Sequence, residues 1–181
     1  GLIGSKKIKN FYKNGQKWLT VVVEKYIMNL QTSKKGVCNM FSGEQSHQLD
    51  AKNRIRIPSQ FKLPENEDLV FCKGTTQCIY VMPKSAVDKM CEEFYNVSLF
   101  DEEAQEAFSE YMSGFYTIEA DAQGRYLLPQ ALREYAGINK NVITVGVFNR
   151  LEIWSEEVKK EKRKQRSFAD SIKVLRSKVG K

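Results

Sequence analysis

The chain has 181 residues, 41% of them apolar, enough for one or two small globular domains. Its only histidine is His47, and Cys38, Cys72, Cys78 and Cys91 form no Cys-x-x-Cys pair, which argues against a metal site and a disulfide framework. No apolar run approaches the ~20 residues that would span a bilayer, so a cytoplasmic location is expected.

The formal charge of +7 is unevenly spread. Residues 1–39 hold eight lysines against one glutamate, and residues 159–181 hold ten basic against two acidic side chains. Residues 40–158 therefore carry −8. Bulk basicity is thus no argument for nucleic-acid binding, and any such surface on the folded part must be local.

In chain order, residues 1–39 read as a translated upstream leader. Lys34-Lys35-Gly36, a few residues before Met40, back-translates to a purine-rich run of the kind a ribosome-binding site presents. The competing reading is a genuine basic extension with a short strand at 18–23. Residues 46–49 are strand-like and lead into Asp50-Ala51-Lys52-Asn53-Arg54-Ile55-Arg56-Ile57-Pro58. Residues 58–63, closed by Pro64, can hold only about one helical turn. Two strands follow at 69–72 and 78–82, around Lys73-Gly74-Thr75-Thr76. Ala86, Val87, Met90, Cys91 and Phe94 then fall at helical spacing, as do Ala104, Ala107, Phe108, Tyr111 and Met112. Both stripes are expected to pack in the core, with a subunit interface as the alternative. The cysteines at 72, 78 and 91 are expected as buried, reduced thiols.

A strand at 116–120 then runs into Asp121-Ala122-Gln123-Gly124-Arg125-Tyr126-Leu127-Leu128-Pro129, which repeats the first segment 71 residues later. Two copies are too few for a solenoid and predict a pseudo-twofold pair of half-domains. In each copy Asp favours the first turn position, and Asn53 or Gly124 tolerates positive φ, so a hairpin loop built on a type I turn plus a left-handed residue is expected. Asp50, Asp121 and Gly124 are then turn-structuring residues, with cross-turn ion pairs to Arg54 and Arg125. After the second turn come a helix Gln130–Ala136 ended by Gly137, strands at 142–147 and 151–154, and a helix from Ser155 into residues 159–166. Phe168, Ile172, Val174 and Leu175 allow a further weak turn or a mobile tail. Each half reads as hairpin, short helix, hairpin and longer helix, with halves at 44–86 and 115–158 and a basic tail at 159–181.

The first loop is the richer in cations. On a strand, Arg54 and Arg56 face opposite to Ile55 and Ile57, and Lys52 sits beside them at the turn. A β-ribbon fits the DNA major groove, so Arg54 is the expected main contact, supported by Arg56, Lys52 and Asn53, with Arg125 secondary. Asp50 with Asp121 could be imagined as a catalytic pair, but each is explained by its turn, and no nucleophile–base constellation or phosphate-cradling loop accompanies them. No catalytic residue, cofactor or small-molecule substrate is expected.

Met40-Phe41-Ser42-Gly43, the two Asp-x-x-(Asn/Gly)-Arg segments, residues 129–137 and residues 147–154 together resemble the MraZ family of bacterial transcription regulators, which carry two SpoVT–AbrB-like halves in one chain. The resemblance covers Met40 to about Lys164. It implies an α+β, mainly β fold: a double swapped-hairpin, AbrB-like barrel with flanking helices. It also implies ring-like homo-oligomers in the cytoplasm and nucleoid that bind double-stranded DNA at direct repeats upstream of the division and cell-wall gene cluster. The Trp18 and Val22-Val23-Glu24-Lys25 codons fit TGG-type repeats of that kind. Asn53 replaces the usual Gly, and Ser42 stands at a position often basic, removing one possible phosphate contact. The alternative function is a protein-interaction barrel without specific DNA binding.

Overall fold

The segments on the two sides of each Asp turn do not pair with each other. In the computed structural model, which describes residues 40–64 and 67–179, β1 (Glu44–Gln48) enters the first turn and β2 (Arg54–Arg56) leaves it. The expected leader and the alternative strand at 18–23 lie outside the described residues. β3 (Leu69–Lys73) and β4 (Ile79–Pro83) form a hairpin. The second repeat supplies β5 (Phe115–Ile118), β6 (Arg125–Leu127), β7 (Asn141–Val147) and β8 (Arg150–Ser155).

β1 pairs with β7, β5 with β3, and β2 with β6, all antiparallel, so every arm flanking an Asp turn pairs with a strand of the other repeat. The expected hairpins are therefore loops whose arms are exchanged. Two equivalent half-sheets with open edges explain this: each finds in the other a strand it cannot supply itself.

The result is not the expected barrel but a six-stranded open sheet, β1-β7-β8-β4-β3-β5, and a separate two-stranded ribbon, β2-β6. Exchanging the repeats reverses the strand order onto itself, so a pseudo-twofold passes between β4 and β8 and between β2 and β6. The registers agree: Tyr80 faces Glu152 at one pair and Ile55 faces Tyr126 at the other.

Alternation along β3 and β8 sorts side chains onto two faces. On one, Phe71, Ile79, Val81, Leu151 and Ile153 meet Ile55, Leu128 and Leu132, all essentially without solvent exposure. The ribbon lies over this face, with the Tyr126 ring centroid 5.4 Å from that of Phe71. Here α3 (Gln130–Ala136) contributes Leu132 and Ala136. Pro129 starts it, and Gly137 at φ 62° ends it, where Ile138 N–H donates to the Arg133 carbonyl at 2.8 Å. The first repeat has no helix at 58–63, only a turn in which Phe61 N–H donates to the Pro58 carbonyl.

The opposite face carries a smaller cluster of Val70, Cys72, Met82 and Val87. Val87 comes from α1 (Lys84–Cys91), which continues as a 3-10 turn (Glu92–Asn96). Cys72 and Cys78 are buried and Cys91 half-buried. Burial pushes the Cys72 thiol up to about 12 and the Cys78 thiol up to about 11, so both stay protonated at neutral pH.

The second apolar stripe departs from its expected place in the core: α2 (Glu102–Ser113) buries no residue. Its aromatic side chains instead stack in a satellite cluster, with Phe108 and Tyr111 against Phe94 and Tyr111 against Phe115. The stripe is satisfied by neighbouring rings, outside the space the two sheet faces have already filled.

At the C-terminal end α4 (Glu156–Gln165) is followed by α5 (Phe168–Lys178), a helix longer than the single weak turn read from its apolar residues. Ser167 caps α5 by accepting from Asp170 N–H at 3.1 Å. Asp170 in its first turn and Arg176 and Lys178 in its last complement the helix dipole. Among the described residues no helix is long and apolar enough to cross a membrane.

One close approach locks β1 to the second repeat. The chain at Phe41–Gly43 crosses β7 so tightly that a methyl group on Gly146 would sit 2.6 Å from the Phe41 carbonyl carbon, and closer still to the Ser42 nitrogen. Phe41 and Phe148 exchange backbone hydrogen bonds at 2.9 and 3.0 Å beside it. Gly146→Ala is expected to destabilise the fold by about 1–3 kcal/mol, the usual cost of overpacking a tight site. Urea unfolding of the variant against the parent measures this.

Candidate nucleic-acid interface

The two Asp turns are built alike. Asn53 (φ 59°) and Gly124 (φ 71°) occupy the left-handed position in each. Asn53 N–H donates to the Asp50 carbonyl and Gly124 N–H to the Asp121 carbonyl, at 3.0 and 2.8 Å. In the first loop Asp50 Oδ1 accepts from Lys52 N–H at 2.8 Å and from Arg54 N–H at 2.9 Å. In the second, Asp121 Oδ1 accepts from Gln123 N–H at 2.9 Å and from Arg125 N–H at 3.0 Å.

The remaining carboxylate oxygens draw the two loops together. Arg54 Nε donates to Asp50 Oδ2 at 2.7 Å, with Nη2 also at 2.7 Å. Arg54 Nη1 crosses to Asp121 Oδ2 at 2.9 Å. Arg125 mirrors this: Nε and Nη2 lie 2.9 and 2.8 Å from Asp121 Oδ2, and Nη1 lies 3.5 Å from Asp50 Oδ2. Two arginines and two aspartates thus form one network of zero net charge, and the crossing contact is the shorter from Arg54.

Other side chains of the loops stay open. Lys52 and Arg56 are exposed, Asn53 is half-buried, and Arg56 Nη2 donates to the Gln123 carbonyl across the ribbon. Leu127, paired with Arg54, is 57% exposed beside them. The structure therefore brings Lys52, Asn53, Arg54, Arg56 and Arg125 onto one surface. Sequence reasoning expected ion pairs within each turn and missed the contacts between turns and the exposed Leu127. The repeat itself was the available signal, because a pseudo-twofold that pairs β2 with β6 sets the turns side by side.

Each Asp is held as an anion. Donation from the Arg125 side chain, followed by backbone N–H groups of the same turn, draws the Asp121 carboxyl down to about 2. Asp50 is lowered by the Arg54 backbone N–H and then by its side chain. A general acid or base works best with a pKa near the working pH, so these carboxylates are suited to orient arginines. Among the described residues no group of His, Cys, Asp and Glu side chains is arranged to hold a metal ion. His47 is part of the sheet: its Nε2 lies 2.8 Å from the hydroxyl of buried Thr144, and burial lowers its pKa.

Residues 40–109 and 111–169 match the family described as "MraZ protein, putative antitoxin-like". The chain belongs to the MraZ family. It is 41% identical over 118 residues to "Transcriptional regulator MraZ" of Finegoldia magna, covering 65% of this chain and 82% of that protein. A protein of the same name from Clostridium acetobutylicum is 42% identical over 118 residues, covering 65% and 83%. That from Clostridium beijerinckii is 37% identical over 133 residues, covering 74% and 94%. The MraZ match runs through both Asp turns, the exchanged strands and α4.

The depressed carboxyls make this corner of the MraZ fold acid-sensitive. Asp121 falls from an ordinary 3.8 to about 2, so its contribution is fully present above about pH 4 and lost as pH falls through about 2. The unfolding free energy, followed by chemical denaturation between pH 5 and pH 2, is expected to fall across that window. In Asp121→Asn the fall should be shallower, with lower stability at neutral pH.

Proposed function

We propose that the chain is a transcriptional regulator that binds duplex DNA through the first Asp-turn loop, presented repeatedly by a homo-oligomer. The observation that carries this reading is the pair of exposed cations, Lys52 and Arg56, flanking an arginine already fixed in direction by two carboxylates. The names of the relatives support regulation of transcription as the setting. The exchange of arms between the repeats supports the swapped-hairpin, AbrB-like reading of the two halves.

Arg54 has five side-chain N–H donors and commits two to hydrogen bonds with Asp50 and Asp121, leaving the others for a base edge or a phosphate. Held rigidly, it loses little freedom on binding, as preorganised contacts do. Lys52 meets a phosphate and sets affinity, while Arg56 reads or clamps beside Arg54. Arg125 lies in the same network on the loop that carries Gln123 in place of the lysine, so it supports more than it reads. Phosphate contacts position the protein and base contacts specify the sequence.

Titrations of operator and unrelated duplexes at two salt concentrations test this. Arg54→Ala and Arg56→Ala are expected to erode discrimination by roughly 1–3 kcal/mol for each lost bidentate contact. Lys52→Ala should weaken all duplexes alike and reduce the salt slope by about one. Arg125→Ala should weaken binding less. Normal discrimination by folded Arg54→Ala and Arg56→Ala, with loss in Arg125→Ala, would move the reading head to the second loop.

One subunit offers few cations, and duplex affinity grows with the number of phosphates neutralised. Direct repeats engaged by neighbouring subunits of a ring would multiply it. The helical layer supplies an apolar surface for assembly: Tyr95, Leu99 and Phe100 are 78%, 83% and 96% exposed. Light scattering at micromolar concentration is expected to show an oligomer, and Leu99→Asp with Phe100→Asp to lower its mass. A parent monomer that still binds operator DNA normally would refute the oligomeric reading.

A further inference from the structure

Away from the loops, the C-terminal helices enclose a cleft of about 970 Å³ against the sheet. Trp154 of β8 lies at its base, Lys159, Lys162 and Arg163 of α4 line one side, and Arg166 and Ser167 form the junction with α5. Arg163 is paired with Glu44 of β1. Among the described residues Lys159, Lys162 and Arg166 have no carboxylate at ion-pair distance, whereas Lys160 and Lys164, on the same helix, pair with Glu156 and Glu161. Of the four cations lining the cleft, Lys159, Lys162 and Arg166 are thus unpaired, and only Arg163 is held, by Glu44, whose carboxylate also lines it.

Lys159 Nζ sits 4.2 Å from the centre of the Trp154 ring and Lys162 Nζ 5.9 Å from it. The indole face offsets part of their charge, a modest attraction. Burial and then nearby Arg163 push the Lys159 amine down, against the pull of Glu152. Like charges gathered at a half-enclosed surface repel each other, and a multivalent anion entering the cleft relieves that repulsion.

We propose that this cleft is a phosphate-binding site, taking either a free polyphosphate such as a nucleoside triphosphate or the phosphates of a nucleic-acid backbone. Lys162 and Arg166 hold the anion and Lys159 closes on it from the Trp154 face. Arginine suits phosphate through its planar fork and lysine as a point charge. The site is separate from the Asp-turn loops, and its ligand needs no base sequence.

The 181-residue chain carrying Trp18→Phe leaves Trp154 as the sole indole. At fixed ionic strength its emission is expected to change saturably with inorganic tripolyphosphate, as the anion draws Lys159 and Lys162 from the ring. Lys162→Gln with Arg166→Gln should raise the midpoint at least tenfold. Arg176→Gln with Lys178→Gln removes the same charge outside the cleft and should leave it within twofold. ATP and a duplex without repeats form two further arms: a response to ATP alone identifies a free ligand, and a duplex response displaced by tripolyphosphate identifies the backbone. No saturable change with tripolyphosphate, or equal loss in both double variants, overturns the proposal. So does a fall in oligomer mass in the cleft variant without a phosphate response, which would make the cleft a contact between copies. The tripolyphosphate arm contains no DNA, so its result stands apart from that of the loop variants.

Discussion

The arrangement of charges around the Arg54–Asp121 crossing governs this molecule's surface, because it makes two separate loops into one object. Each aspartate could close its own turn alone, using Oδ1 for backbone N–H groups and Oδ2 for its own arginine. The crossing adds a constraint neither turn can supply, the relative position of the two loops. The side chains are about a quarter exposed, and solvent screening keeps the net contribution of such pairs to stability small. Stability therefore comes mainly from beneath: burying Ile55, Leu128 or Leu132 is worth about 1.5–3 kcal/mol apiece. The ion network contributes direction, holding guanidinium groups at fixed angles above an apolar base.

That division of labour depends on the exchanged strands. With β2 paired to β6, Ile55 and Tyr126 face each other near the pseudo-twofold and point toward Phe71. The adjacent positions, Arg54 with Leu127 and Arg56 with Arg125, must then face outward. A one-residue slip would bury the arginines and expose Ile55. The register that buries the core is the register that displays the cations.

Much of this was legible in the sequence, for reasons specific residues make plain. The turn chemistry of Asp50 and Asn53 is local, and the observed positive φ at Asn53 and Gly124 follows from residue type. α3 was readable because Pro129 and Gly137 punctuate it. The exchange of arms was not readable from alternation alone, since β1 has the same polar pattern whether its partner is β2 or β7. α2 misled because an apolar stripe records only that a face is covered, and rings from a neighbouring turn cover it as well as a sheet does. α5 is faint in the sequence because its support lies in the Ser167 cap on Asp170 N–H and in end charges, which carry no periodic signal.

The uneven charge of the chain acquires a structural meaning in this frame. The sheet and middle helices are acidic, the loop network is internally neutral, and the positive charge of the described residues concentrates in α4 and α5. A duplex approaching such a body would meet repulsion over most of it and attraction at two places, the loop cations and the C-terminal helices. At physiological salt, attraction between exposed charges fades beyond about 8 Å, so each place acts as a short-range contact. Repulsion elsewhere then favours orientations that bring a loop to the duplex, and it penalises the rest. On the proposed DNA-binding reading, an acidic body with few, rigidly aimed cations would give up affinity per subunit and gain selectivity of approach, a balance that repeated presentation of the same loop would make productive.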